Sequence, residues 1–237
     1  MPLWAIIELS RLANINLHKV ERNILAYRSG ICGGLISNPK LPILANPELD
    51  SIVIHLIADG YVNDKIMTPS YCQKKENDRS LFIKKLHNVF GDFNGSLSEG
   101  KVFRFPKAIT KIISNYYNIK SFMSKTAIVP EKISNNTKTS KLACIIAFIL
   151  DEGNIRDVIC VFSVNKRLIS QIRLLFMGCG YRCNPLRYGS KRYWFSMKNS
   201  SIKRFHKDYK KLQNIYPTCS LGTKYIKLYT LSSKVRK

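Results

Sequence analysis

Acidic residues are scarce in this sequence: 15 Asp and Glu stand against 39 Lys and Arg, a net charge of +24 over 237 residues. Such an excess costs self-repulsion unless a polyanion neutralises it, which makes nucleic acid the expected partner and phosphate contacts the expected source of affinity. Charge alone leaves a catalytically inert RNA or DNA binder open. Long apolar runs are also missing. The best candidate, residues 142–150, is far short of the roughly 20 residues that span a bilayer, so no membrane partner is expected. Residues 1–7 are apolar but have no basic start and lead into Glu8 and Arg11. No secretory leader is therefore expected, and the chain is placed inside the cell, cytoplasmic or nucleoid-associated. There is no C-x2-C pair among Cys32, Cys72, Cys144, Cys160, Cys179, Cys183 and Cys219, which argues against a zinc site. Cys179 and Cys183 could pair only in an oxidising cell, and reduced, mostly buried thiols are expected. Apolar content is sufficient: 45% hydrophobic and 11% aromatic residues build a core and exclude wholesale disorder.

What is present is a repeat. Asn46-Pro47-Glu48 combines an N-cap, a first-position proline and a first-turn acid, and the apolar run 49–58 that follows ends at Asp59-Gly60. Ser140 is a second N-cap candidate, followed by the apolar run 142–150 and Asp151-Glu152-Gly153. After each glycine comes a predicted hairpin, 61–67 and 154–161, with turns at Asn63-Asp64 and Arg156-Asp157 and an amide at the end, Gln73 or Asn165. An amphipathic helix follows: Leu81, Phe82, Leu86, Val89 and Phe90, closed by Gly91, and Leu168, Ile169, Ile172, Leu175 and Phe176, closed by Gly178. A second hairpin comes next, through Asn94-Gly95 and Glu99-Gly100 to strand 101–105, and through Tyr188-Gly189-Ser190 to strand 192–197. Basic helices at 108–117 and 201–212 close the copies. The offsets agree: 152 − 59 = 93, 165 − 73 = 92 and 198 − 107 = 91.

Domain boundaries follow: residues 46–123 form the first repeat, 124–139 a polar linker, and 140–237 the second repeat with a basic tail from Lys224. Residues 1–45 belong to neither copy. They read equally as a helix-turn-helix or as a helical extension packed on the first copy.

The segments 52–60 (IVIHLIADG) and 145–153 (IIAFILDEG) resemble the nine-residue motif of the LAGLIDADG homing endonucleases, in their monomeric, two-motif, archaeal intron-encoded form. The resemblance covers residues 46 to about 212 and includes the order of elements after each motif. It implies an α+β fold: two pseudo-symmetric αββαββα repeats forming a saddle of antiparallel sheets, with the two motif helices at the interface. Both helices are apolar nearly all round, as elements buried on every side must be. Ala58 and Ala147 suit a close crossing, whereas Ile54 departs from the small residue usual there and His55 reads as a packed or hydrogen-bonded interface residue.

The resemblance also implies the chemistry. Asp59 and Glu152 would lie together at the helix ends, where two carboxylates repel unless a cation lies between them. Glu152 is preferred to its neighbour Asp151 because it precedes glycine as Asp59 does. The expected cofactor is Mg²⁺, replaceable by Mn²⁺ or, non-productively, by Ca²⁺, with carbonyls of Ala58 and Asp151 as further ligands. Lys107 and Lys198 would stand near the scissile phosphate, and Gln73 and Asn165 would organise water. Their plain alternatives are solvated lysines and strand-end caps.

Strand alternation puts Phe103 and Phe105 on one face and Arg104 on the other, and separates Tyr193, Phe195 and Met197 from Arg192, Trp194 and Ser196. The polar face would enter the major groove. Arg104, Arg156, Arg187 and Arg192 are the first candidates for DNA contacts, and Lys65, Arg182, Tyr188 and Lys191 the second. The expected activity is metal-dependent hydrolysis of both strands of a long, asymmetric double-stranded DNA target by a monomer, leaving short 3′ overhangs. An RNA splicing maturase and a non-cleaving DNA-binding regulator on the same fold are the alternatives.

Overall fold

The computed structural model describes residues 3–31, 33–62 and 68–234, so the expected 63–64 turn and Lys65 lie outside the described residues. The chain begins with α1 (Leu3–Leu12), α2 (Leu17–Glu21), β1 (Ala26–Tyr27) and β2 (Ile36–Ser37). Next come α3 (Pro47–Asp59), β3 (Gly60–Tyr61), β4 (Ser70–Cys72), α4 (Glu76–Phe90), β5 (Asp92–Phe93), β6 (Ser96–Ser98), β7 (Val102–Arg104) and α5 (Lys107–Tyr117). After α6 (Glu131–Ser134) follow α7 (Lys138–Glu152), β8 (Gly153–Ile155), β9 (Ile159–Ser163), α8 (Lys166–Gly178), β10 (Arg187–Gly189), β11 (Arg192–Ser196), α9 (Ile202–Ile215) and α10 (Tyr225–Lys234).

The two long apolar helices form the centre. Asn46 caps α3 by accepting the Leu49 N–H at 2.9 Å, with Pro47 at the first position, as the sequence predicts. Residues 47–57 of α3 and 142–150 of α7 are buried in an unbroken run, and α3 and α7 pack on each other more extensively than any other described pair of elements. Each buried Leu or Ile of this seam contributes roughly 1.5–3 kcal/mol.

Two four-stranded antiparallel sheets flank the pair, in the orders β3-β4-β7-β6 and β8-β9-β11-β10. Taken in sequence order the two connectivities are the same, so each motif helix feeds an edge strand. Ile159, Val161 and Ser163 of β9 are buried while Cys160 and Phe162 are half-buried, the alternation of a sheet with one face on the core. Phe103 and Phe105 are buried and Arg104 is exposed, as expected. In β11, Phe195 and Met197 are buried, but Ser196 is buried as well, because its hydroxyl accepts the Asn184 amide at 2.8 Å.

Four expectations are corrected. Helix α7 starts a turn before Ser140: Thr137 is the N-cap and accepts the Ser140 N–H at 3.2 Å. Segment 124–139 is no plain polar linker, since it contains α6 and buries Ala127, Val129 and Ile133. Residues 1–45 are not only helical: β1 and β2 pair, and β2 pairs with β5, so the extension is stitched to the first αβ unit by a small third sheet. The tail from Lys224 is a packed helix, α10, with Leu228 and Leu231 buried. Among the described residues no helix is long and apolar enough to cross a membrane. The six described cysteines are unpaired.

Candidate functional site

Helices α3 and α7 end at Asp59 and Glu152, and strands β3 and β8 begin at the next residue. Gly60 and Gly153 leave their helices in extended conformation rather than in the left-handed one. They are glycines for a different reason: the strand folds back so tightly that a Cβ on Gly60 would collide with the Leu56 carbonyl, and one on Gly153 would lie 2.6 Å from the Ile149 carbonyl. This close turn fixes where the two acids point.

Both acids are partly buried and titrate abnormally. Asp59 is pushed up to about 7 by burial and then by the charge of Asp151, with Lys224 pulling the other way. Glu152 is pushed up to about 7 by burial and by Asp59 and Asp151, opposed by Arg192 and Lys224. The two carboxyls therefore lie close enough to disfavour each other's ionisation. A carboxylate at a helix C-terminus also opposes the macrodipole. Among the described residues, neither side chain takes a hydrogen bond or an ion pair.

Asp151 is placed differently. Its side chain is fully buried; one oxygen lies 2.7 Å from His55 Nδ1, and the other accepts the Tyr71 hydroxyl at 2.7 Å. His55 Nε2 faces Lys85 Nζ at 2.8 Å, and both residues are fully buried. A nitrogen facing an ammonium accepts rather than donates, so His55 is the neutral tautomer with its proton on Nδ1. Burial, reinforced by Lys85, holds His55 well below its usual range. Burial pushes the Lys85 ammonium down, opposed by charges that include Asp151, and the imidazole lies between the two groups. Burial raises the Asp151 carboxyl to about 7, while Tyr71, Lys85 and Lys224 stabilise its charge. Tyr71 stacks on Phe82 at 4.1 Å and completes the pocket. His55 is thus the hydrogen-bonded interface residue that the sequence indicated.

The remaining sequence-predicted residues fall into three groups. Lys107, the first residue of α5, is half-buried, and Lys198 is exposed beyond β11. Gln73 follows β4, half-buried, with its side-chain oxygen accepting the Lys75 N–H at 3.3 Å. Asn165 is committed to the fold: it caps α8 through the Leu168 N–H at 3.1 Å and donates to the Ala127 carbonyl at 2.8 Å. That is the cap considered from sequence, with one donor and one acceptor of the amide used by the fold.

Arg104, Arg156, Arg182, Arg187, Tyr188, Lys191 and Arg192 are all exposed. Arg187, Trp194 and Phe162 are cross-strand neighbours in register, with the Arg187 guanidinium 5.4 Å from the Trp194 ring and that of Arg192 5.7 Å from the Phe162 ring. They form one cationic and aromatic face on the second sheet.

Sequence reasoning missed Tyr71, Lys85 and Lys224. Lys85 had a signal, since it sits three residues after Phe82 and four before Val89, on the apolar stripe of α4. Lysine on such a stripe is either snorkelling or paired.

No family profile matches the sequence, and no curated protein matches it either. Solved structures do. A structure of mesophilic variants of the homing endonuclease I-DmoI matches with TM-score 0.51 and 14% identity, over 68% of this chain and 94% of that one. I-DmoI in complex with DNA and Mn gives 0.49 at 15% identity, over 68% and 96%, and the N-terminal LAGLIDADG domain of DUF199/WhiA gives 0.47 at 8%, over 71% and 84%. The chain has an α+β fold in which two αβ units meet along a helix pair. That fold is shared with the homing endonuclease I-DmoI.

Proposed function

We propose that this chain is a metal-dependent, site-specific DNA endonuclease of the LAGLIDADG homing kind, working as a monomer on a long asymmetric duplex. The observation that carries the reading is the pair Asp59 and Glu152: two mutually repelling, partly buried carboxyls at matched helix ends, neither with a hydrogen-bond or ion-pair partner among the described residues. Groups that raise each other's pKa in this way are candidates for function. Their chemistry fits a divalent cation, which would remove the repulsion. Among the described residues no three His, Cys, Asp or Glu side chains converge on one point. Mg²⁺ and Mn²⁺ use one or two carboxylates and complete the shell with waters and substrate phosphates.

In this reading Asp59, Glu152 and the last-turn carbonyls of Ala58 and Asp151 would hold the ion, with Ca²⁺ as a non-productive substitute. When bound, the ion activates water and stabilises the leaving oxygen. The protein's own part is placement. The Gly60 and Gly153 turns fix the carboxylates, and the buried Lys85–His55–Asp151–Tyr71 chain keeps the third carboxylate out of the ion's shell. The arginine-rich sheet faces bind phosphates and base edges, with Lys107 and Lys198 beside the scissile phosphates and Gln73 orienting water. Cleavage of both strands leaves short 3′ overhangs.

The test is to incubate the chain with a pooled library of long duplex sites, with Mg²⁺ or with EDTA, and to sequence the ends. Metal-dependent double-strand cuts at one site, lost in Asp59→Asn and Glu152→Gln, are expected. Tight binding without cutting in Mg²⁺ or Mn²⁺ sinks the proposal and leaves a regulator or an RNA splicing maturase, which RNA binding then separates.

A further inference from the structure

The outer faces of the two sheets differ at positions that the fold makes equivalent. Tyr71 of β4 pairs with Gly60 and Phe103, and Val161 of β9 pairs with Gly153 and Phe195, so the two residues match. Both are buried, and the next residue along each strand points the other way. In the first sheet that outer face has Ser98, Val102 and Cys72 in register across β6, β7 and β4. In the second it has Arg187, Trp194 and Phe162 in register across β10, β11 and β9. A sheet of the same connectivity is thus built without aromatic residues at these places, and the fold does not require them.

Trp194 and Phe162 are half-buried, so part of each ring is open to solvent. The guanidinium of Arg187 lies 5.4 Å from the Trp194 ring and that of Arg192 5.7 Å from the Phe162 ring. The result is an apolar strip bordered by cations. The cations suit phosphates, but the strip suits a groove floor that is itself apolar. In the major groove the edges of guanine, adenine and cytosine show hydrogen-bonding groups, and the apolar group on offer is the C5-methyl of thymine. A ring set over a polar edge strips its water and gives no partner in exchange, which costs free energy. A ring set over a methyl group gains buried apolar area.

We infer that Trp194 and Phe162 are specificity-determining residues that read thymine through its C5-methyl, in the half of the target under the second sheet, while the half under the first sheet is read without such contacts. The inference rests on the duplex-binding reading above. An aromatic pair that only braced the strands would leave thymine and uracil equivalent.

The experiment selects bound duplexes from a pooled library with the full chain in Ca²⁺, so that binding is read apart from cutting. Thymine is then replaced by deoxyuridine in one half of the selected site at a time; uracil pairs as thymine does and lacks the methyl alone. The expected result is ~4-fold weaker binding per methyl removed in one half, the scale of one buried methyl group, and a change under about 2-fold in the other. Trp194→Val and Phe162→Val should each shrink that preference, and Phe162→Val carries the test if Trp194→Val does not fold. Uracil tolerated in both halves, or a uracil penalty of the same size in parent and variants, overturns the inference and leaves the endonuclease reading standing. Tighter binding of the unpaired strand than of the duplex overturns it as well, since the rings would then stack on bases. No duplex enriched in the selection overturns both.

Discussion

At the offset of 93 residues set by the two motif acids, His55 of α3 corresponds to Phe148 of α7 (148 − 55 = 93), and Asp151 of α7 corresponds to Ala58 of α3 (151 − 58 = 93). One helix contributes the imidazole and the other the carboxylate of the buried couple; the matched positions of the opposite pairing are apolar. The first unit also supplies Lys85 and Tyr71, so the polar content of the interface belongs mostly to the first half. This difference specifies partner choice. Two copies of the second half would each bury Asp151 against Phe148 without a donor, and two copies of the first would leave His55 facing Ala58. An unpaired buried charge costs several kcal/mol, so the couple acts against self-pairing of either half and in favour of the two units joined in one chain.

The comparison breaks most completely at the acids. Asp59→Asn and Glu152→Gln are each expected to lower DNA cleavage by about 10²–10⁴-fold, the scale of removing one preorganised charge from a reaction centre. A supercoiled plasmid carrying the site reads the outcome. Equal losses of both cuts mean that the acids form one unit; a nicked product from either variant means that each acid serves its own strand.

The buried couple comes next. Asp151→Asn and Lys85→Met are each expected to cost about 3 kcal/mol in urea unfolding, because each leaves the other partner's charge unpaired in the core. The double variant should cost less than the sum by about 1–3 kcal/mol. Strict additivity would show that the two charges do not communicate through His55. Phe148→Leu, at the matched apolar position, should cost less than either single change.

Much of this was readable in the chain. The cap Asn46-Pro47, the apolar runs of α3 and α7, the Asp-Gly and Glu-Gly ends and the order of strands all come from local patterning, and local patterning is what a sequence states openly. The couple was not readable, because it joins residues 96 positions apart and depends on which faces of α3 and α7 meet. Lys224 was hidden for the same reason: a basic residue near the end of a basic chain looks like a solvated tail until α10 is seen to pack its Leu228 and Leu231. The start of α7 was misplaced because Thr137 and Ser140 are equally good caps, and only the burial of the Ser140 side chain separates them.

The acids also give a smaller, pH-dependent effect. Asp59 and Glu152 titrate near 7 in the folded chain, against about 4 when unfolded. Between those values the native state holds protons that the unfolded chain has lost, so stability in EDTA falls as pH rises from about 4.5 to about 7 and levels off above. After allowance for solvent screening the expected fall is about 1–2 kcal/mol. Urea midpoints at pH 5 and pH 8 measure it; Asp59→Asn should reduce the slope without abolishing it, because Glu152 and Asp151 are also raised to about 7. A slope of equal size in Asp59→Asn would mean that Asp59 contributes nothing to it and that Glu152 and Asp151 carry the titration.

The smallest effect contrasts the two sheets. Strands β9 and β11 have five residues each, while β4 and β7 have three, so the second sheet offers the longer surface to a duplex. Arg104→Ala and Arg192→Ala should each weaken DNA binding by about 1 kcal/mol and reduce the salt slope by about one unit if each contacts a phosphate. Their effects on cutting should differ. Arg192 also helps to keep Glu152 ionised, whereas Arg104 figures in the environment of neither motif acid. At saturating DNA, Arg104→Ala should therefore cut at the parental rate, while Arg192→Ala should cut more slowly near neutral pH and recover as the pH is raised. Equal rates for the two variants across that range would mean that the second sheet acts on the DNA alone and not on the acid beneath it.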